Sequence, residues 1–378
     1  MLPLHPALPD HPPGGERGIS KRCDKEEGRL SFWTKRPGVY SEYTVKSRYA
    51  AASSQKFAAA VGVYTGENPE ALYEVKSVEE LAAALPSQGD AGLYPLCKIL
   101  LEGGVSKVYC APVPTGATAE DYKAAFARLE GIENLYAVVC DSGEEAVLQE
   151  LRGHCVYCSE RQKERLGFCG AKESSSAPVL AQSLGCERMV LCAPAARYGE
   201  GESAAFTAAA FAAGVLTAES AGYNLNGLAL GGVDALVEAI SESALEEMLG
   251  LGVCAFESVG GQVQCVKALT TRSMSGGAAD YSLAALNTML IIDEVMAALR
   301  TAMKQRLRGA RNNALTRGAI ASQATIELAA KQDEGLIDDF DVPLVSEQPD
   351  EPGVLLLEVG FHVAGVISQI RIVAQITV

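Results

Sequence analysis

No stretch of this sequence holds the run of about eighteen apolar residues that a membrane-spanning helix requires. The nearest candidate, Ala204 to Ala218, is short, Ala-rich and bounded by Glu202 and Glu219, and reads as a buried helix. Positive charge is also scarce: 32 Lys and Arg face 47 Asp and Glu, a formal net charge of −15. That balance speaks against a general nucleic-acid binder, which needs cations to neutralise phosphates. The opening MLPLHPALPDHPPGG lacks a basic segment followed by an apolar one, so no secretory signal is read there. Its prolines predict an extended, poorly ordered leader. Cysteine, at 11 in 378 residues, is too sparse for a disulfide scaffold. Cys97, Cys110, Cys140, Cys192, Cys254 and Cys265 sit in apolar stretches, where a free thiol acts as a small hydrophobe. A reducing cytoplasm is the expected place of synthesis.

Catalytic signatures are missing too. Of four histidines, His5 and His11 fall in the Pro-rich leader. His154 and His362 stand among apolar or strand-like residues and read as structural. No GxGxxG follows a strand, and no GxxxxGK[ST], GxSxG or HExxH occurs. Gly103 and Gly104 precede a strand rather than the helix N-terminus that binds phosphate, so they read as turn glycines. His154, Cys155 and Cys158, with Cys169 further on, invite a zinc reading, but no second CxxC completes the set. In a strand, Cys155 and Cys158 would face opposite sides, and packed thiols are expected. Asp338, Asp339 and Asp341 read as a solvated loop, since no calcium-loop spacing surrounds them. No cofactor, metal or catalytic residue is expected.

What is present is pattern. With 48% apolar residues the chain can bury a sizeable core in two or three domains. From about Ala50 to Ala268 strand-like runs (Phe57–Tyr64, Val105–Val113, Leu135–Cys140, Met189–Ala193) take turns with helices. Ser77–Glu80 forms a capping box opening a helix through Leu85, Thr118 caps another reaching Leu129, and Ser243 starts a third. The alternation predicts an α/β domain with a parallel or mixed sheet. Val253–Glu257 and Gln262–Leu269 flank Gly260-Gly261 as a hairpin. After Thr271 the pattern changes. A long helix is expected from Asp280 to about Arg308, then a break at Asn312-Asn313 and a second helix from Ala314 to Gln332. Strands follow over Leu336–Val342 and Val354–Val363.

Two features ask for a partner. The final residues, FHVAGVISQIRIVAQITV, alternate with period two, placing Val366, Ile370, Ile372, Ala374, Ile376 and Val378 on one face. Extended, Val366–Val378 spans roughly 40 Å at about 3.3 Å per residue, and so long an edge must pair at home or with another chain. Second, Val295 to Ile326 carries Arg300, Lys304, Arg306, Arg308, Arg311 and Arg317 and no acid. At about 100° per residue Arg300, Lys304 and Arg308 share an arc of roughly 80°. It is either a solvated face or a docking stripe for an acidic surface.

Several motifs together resemble the contractile tail sheath proteins of phages and phage-like particles. They are Arg36-Pro37-Gly38-Val39-Tyr40, the Ala-rich helix 203–213 with Glu219–Asn224, and Leu251-Gly252-Val253 leading into a strand. To these add Thr270-Thr271, the Arg311–Asn313 break, Gly335–Phe340 and the final strand. The resemblance covers residues 28–378 and implies a discontinuous core domain (29–50 and 271–365) with an outer α/β domain (51–270) inserted into it. A leader (1–28) and a strand arm (366–378) lie outside these; the fold class is α/β, α+β overall. It implies hexameric rings stacked helically around a tail tube protein, bounded by baseplate and terminator proteins. Strand exchange through Arg36, Pro37, Gly38, Val39, Tyr40 and through the final arm would link neighbours. A stripe of Arg300, Lys304, Arg308 and Arg311 would face the tube, and hinges are expected at Lys46–Ser54 and Gln348–Gly353. The particle would be a compact virion tail or tailocin-like injection system, with no direct nucleic-acid contact and no membrane insertion. The alternatives are a cytosolic α/β enzyme with a site near Ser273–Gly277, and a secretion-apparatus sheath recycled by an ATPase.

Overall fold

The computed structural model describes residues 56–66, 68–86, 89, 91–275, 278–279, 282–307, 311–347 and 354–366. All of these belong to one compact unit, Ser54–Val378. In chain order the first elements are β1 (Phe57–Val63), β2 (Tyr73–Val75), α1 (Val78–Ala84), α2 (Leu93–Glu102), β3 (Val108–Val113) and α3 (Ala119–Leu129). Next come β4 (Leu135–Cys140), α4 (Glu145–Glu160), β5 (Leu166–Gly170), α5 (Ala177–Leu184) and β6 (Met189–Ala193). Then follow β7 (Ala196–Tyr198), β8 (Gly201–Ser203), α6 (Ala204–Thr217), β9 (Ala235–Leu236), α7 (Glu242–Gly250), β10 (Val253–Val259) and β11 (Gln262–Cys265). The chain continues through β12 (Met274–Ser275), β13 (Ala278–Ala279), α8 (Leu286–Leu307) and α9 (Ala314–Asp333). Last are β14 (Ile337–Phe340), β15 (Leu344–Glu347), β16 (Leu355–Glu358) and β17 (Phe361–Val363).

Eight strands form one sheet in the order β11-β10-β6-β5-β4-β1-β3-β2. Its six central strands run parallel, and β11 and β2 are antiparallel at the two edges. Alternation along β1 explains the layering: Ala58 and Ala60 enter one core, Ala59 and Val61 the other. The first core collects α1, α2 and α6; the second collects α3, α4 and α5. Helices on both faces make the sheet doubly wound, as the βα alternation predicts. Helix α6 is apolar all round and buried along most of its length, as expected for a helix packed on every side. Its small side chains permit close approach. A Cβ on Gly170 of β5 would lie 2.4 Å from the Ala204 Cβ, so only glycine fits beneath the start of α6.

A third core joins α8 and α9 through Ile291, Val295, Leu299, Ala324 and Leu328, closed by Leu336 and Ile337. Beside it lie two separate ladders, β14–β17 and β15–β16, each two-stranded among the described residues.

Several expectations change. His154 to Cys158 lie in helix α4, not a strand; Leu148, Leu151, Cys155 and Cys158 recur at helical spacing toward the second core. Helix α7 is capped by Ser241, whose hydroxyl accepts from the Ala244 amide, rather than by Ser243. Helix α8 starts at Leu286, not Asp280, because the backbone of residues 284–286 is engaged with Ala268–Thr270. Asp280 itself lies outside the described residues. Asp338 and Asp339 stand on β14 instead of in a loop. The single strand expected from Phe361 onward stops at Val363: the Ala364 amide donates to the Leu336 carbonyl, and Val366 lies outside any strand.

Candidate functional site

For a doubly wound sheet the first place to look is the crevice at the carboxyl ends of the strands, where the strand order reverses. Here that point lies between β1 and β4, and the protein fills it. The Asp141 carboxylate accepts from the Val63 amide at 2.7 Å and from the Tyr122 hydroxyl at 2.7 Å. A Cβ on Gly62 would meet the Asp141 Cγ at 2.8 Å and the Leu93 amide nitrogen at 3.1 Å. Burial raises the Asp141 pKa above the usual carboxylate range, although both hydrogen bonds pull it down. The carboxyl group thus fastens β1 to β4 and α3 in the space a ligand would need.

A shallow depression of about 440 Å³ lies under α7, lined by Leu249, Gly250, Lys267, Leu269 and Ser273 among others. Ser273, the residue on which an enzymatic reading rests, donates its hydroxyl to the Leu251 carbonyl at 3.3 Å. Among the described lining residues none is a histidine or an acid that could activate it. His154, the other candidate, accepts at Nε2 from the buried Arg165 guanidinium at 2.8 Å. Burial, then the Arg165 charge, drive its pKa down to about 3, so it stays neutral. Arg165 also donates to the Leu129 and Ile132 carbonyls and so caps the C-terminal end of α3. Both residues serve the fold.

The polar side chains that matter most gather where α8 meets the sheet. Asp293 of α8 is 4% exposed and holds Arg188 in a bidentate pair at 2.6 and 2.9 Å. Its Oδ2 also accepts from the Tyr136 hydroxyl at 2.7 Å. Tyr136 reaches it through a β-bulge. Phe57 pairs with Leu135 and Ala58 with Ala137, so Tyr136 is the extra residue and shares a face with Ala137. Burial, reinforced by Asp293, keeps the Tyr136 phenol far from ionisation. Burial works against the Arg188 charge, but Asp293 outweighs it and the guanidinium pKa rises. Around this centre Lys56 and Lys331 flank Glu294 at 3.6 and 3.3 Å. Two turns along α8 from Asp293, Arg300 pairs with Glu164 at 2.6 Å.

This geometry revises the basic stripe. Arg300 points to the sheet layer and is neutralised there, and Arg317 is tied to Glu347 and to Asn312. Lys304 and Arg311 are exposed, whereas Arg308 lies outside the described residues. Also outside them are Arg36, Pro37, Gly38, Val39 and Tyr40, the hinge stretches 46–54 and 348–353, and Ile370, Ile372, Ala374, Ile376 and Val378. The chain leaves the described region just past β17, beside the two small ladders. Exposed apolar side chains gather in this part of the sequence: Leu315, Ile326, Val342, Leu344, Val354 and Leu356. Sequence patterning missed Asp293, Tyr136 and Arg188 altogether. The one available signal was the acidic pair Asp293-Glu294 inside the apolar run Met289–Val295.

Two outcomes follow. Asp293→Ala strands the Arg188 charge in a buried site, and a loss of about 3–5 kcal/mol is expected in urea unfolding. A loss below about 1 kcal/mol would mean that the pair is not a buried anchor. At the surface, Asp339 on β14 pairs with His362 opposite it on β17 and raises the imidazole pKa. The pair therefore supports the ladder fully below about pH 6.5 and loses that support as pH rises through the raised value. Amide exchange in β14 and β17 should quicken as pH rises above about 6.5, beyond its intrinsic rise, and His362→Gln should abolish that excess. An unchanged excess in the variant would contradict the assignment.

No family model matches the sequence, and no curated protein matches it. Solved structures do match in fold. A chain of the anti-feeding prophage baseplate superposes with TM-score 0.70 at 13% identity, covering 91% of this chain and 100% of that one. The anti-feeding prophage helical sheath in its contracted state gives 0.67 at 13% identity, covering 91% and 99%. A sheath tail protein from Desulfitobacterium hafniense gives 0.65 at 10% identity, covering 86% and 100%. By fold, this chain is similar to the sheath proteins of contractile tails and injection particles, the family its sequence resembles.

Proposed function

We propose that the chain is the structural subunit of a contractile tail sheath. Subunits stack as hexameric rings around a tail tube, and contraction drives the tube through a target envelope. The observation that carries this reading is the likeness to a contracted helical sheath across 91% of the chain. The small ladders add a physical reason. An isolated two-stranded ladder is marginal in water and presents unpaired backbone on both sides. β14–β17 and β15–β16 are such ladders among the described residues. Residues 366–378 alternate apolar and polar side chains, as a strand added to such an edge would. Donated to a neighbour, that strand links subunits head to tail, and a contact of this kind that does not close on itself winds into a helix.

In this reading residues 29–50 and 271–365 form the conserved core, 51–270 the outer domain, and 366–378 the exchanged arm. Hinges at 46–54 and 348–353 let the arms stay paired while the bodies rotate. Lys304 and Arg311 meet an acidic tube surface, and Arg300 serves the joint with the sheet instead. Baseplate and terminator proteins bound the stack. The work of contraction comes from contacts formed between subunits, so no nucleotide is required.

Deleting 366–378 should leave a soluble protomer with an unchanged circular dichroism spectrum and no cylinders by negative stain. Cylinders at wild-type yield would remove strand donation from the assembly. Reversing charge with Lys304→Glu and Arg311→Glu should abolish co-sedimentation with the tube protein while self-assembly persists. Undiminished co-sedimentation would assign these cations to plain solvent exposure.

A further inference from the structure

The described cysteines are all free and all buried, but they are not equivalent. Cys97 projects from the middle of α2, and Cys110 lies at the centre of β3, paired in register with Ala60 and Tyr73. Their sulfurs stand 3.2 Å apart, with the Cys97 thiol donating to Cys110. A disulfide needs about 2.05 Å, so a shift of roughly 1 Å shared by two side chains would close the gap. The other close contact, Cys254 to Cys265 at 3.7 Å, is longer. It is also ambiguous, because Cys192 faces Cys254 across the β6–β10 pairing. Cys97 and Cys110 have no such competitor among the sulfur contacts of the described residues.

We propose that Cys97 and Cys110 are a latent disulfide site, reduced in a thiol-rich compartment and closed by exchange with a low-molecular-weight disulfide. With oxidised glutathione the chemistry balances. When α2 lifts from the sheet, the Cys97 thiolate attacks one glutathione sulfur, releasing the first glutathione thiolate and leaving a mixed disulfide. The Cys110 thiolate then attacks the Cys97 sulfur, and the second glutathione departs. The protein loses two electrons and two protons, and both glutathiones leave reduced. Burial holds the Cys97 pKa well above that of a free thiol, so exchange waits on local opening and is slow. β3 is next to the sheet edge, with only the three-residue β2 outside it, which is where local opening costs least. The bond would staple α2 to β3 across the Gly103-Gly104 turn and restrict the unfolded chain.

The test uses the full-length protein, incubated without denaturant in oxidised glutathione, quenched in acid, then alkylated in denaturant and mapped by mass spectrometry. The expected result is a joined pair of peptides carrying Cys97 and Cys110, lighter by two hydrogens, with the other eight described cysteines alkylated. Dithiothreitol should reverse it, and the oxidised protein should melt a few degrees higher. Cys110→Ser should lose both the bond and the melting shift. Full alkylation of Cys97 and Cys110, or a bond from either one to a different cysteine, would overturn the proposal.

Discussion

The joint between α8 and the large sheet is centred on one buried carboxylate. Asp293 sits on the inner face of α8 and satisfies a guanidinium from the segment before β6 and a phenol from β4. Without it the joint would rest on apolar contact, which is non-directional, and on the more exposed Lys56–Glu294 and Arg300–Glu164 pairs. A bidentate pair in a site of low dielectric fixes orientation as well as distance. The bulge at Tyr136 shows how closely the strand is shaped to this need: one inserted residue turns a phenol toward the helix without disturbing the ladder beyond it. In the sheath function proposed above, force would pass through this joint, and a joint that does not slide suits that purpose.

The rigid body and the loose edges are complementary. The large sheet is protected on both flanks. β11 is bonded by the 227–230 segment, and β2 is only three residues long. The small ladders beside α9 have no such cover among the described residues, and several exposed apolar side chains belong to the same stretch of sequence. Unpaired strand edges and exposed apolar side chains are thus concentrated away from the sheet, where the proposed strand donation would take place.

How much of this could be read from sequence depended on period. Leu135–Cys140 and Met189–Ala193 match β4 and β6 to the residue, because buried parallel strands are short apolar runs between turns. The break at Asn312-Asn313 was legible, and Asn313 caps α9 by accepting from the Thr316 amide; the helix ends just before Gly335, which has φ +73°. His154–Cys158 was not, since cysteine, valine and tyrosine suit a strand locally and only the wider spacing reveals α4. Arg300 looked like part of a free stripe because angular position on a helix says nothing about what packs against it; Glu164 is 136 residues away in sequence. The joint was invisible for the same reason. Tyr136, Arg188 and Asp293 come from three separate segments, and no local pattern links them.

The decisive observation is where residues 367–378 lie in the assembled particle. High-resolution cryo-electron microscopy of cylinders formed by the full-length chain would trace them directly. Strand donation requires continuous density crossing from one protomer into a ladder of the next, hydrogen-bonded along β14, β15, β16 or β17. Density that folds back into the same protomer, with no backbone pairing between neighbours, would contradict it.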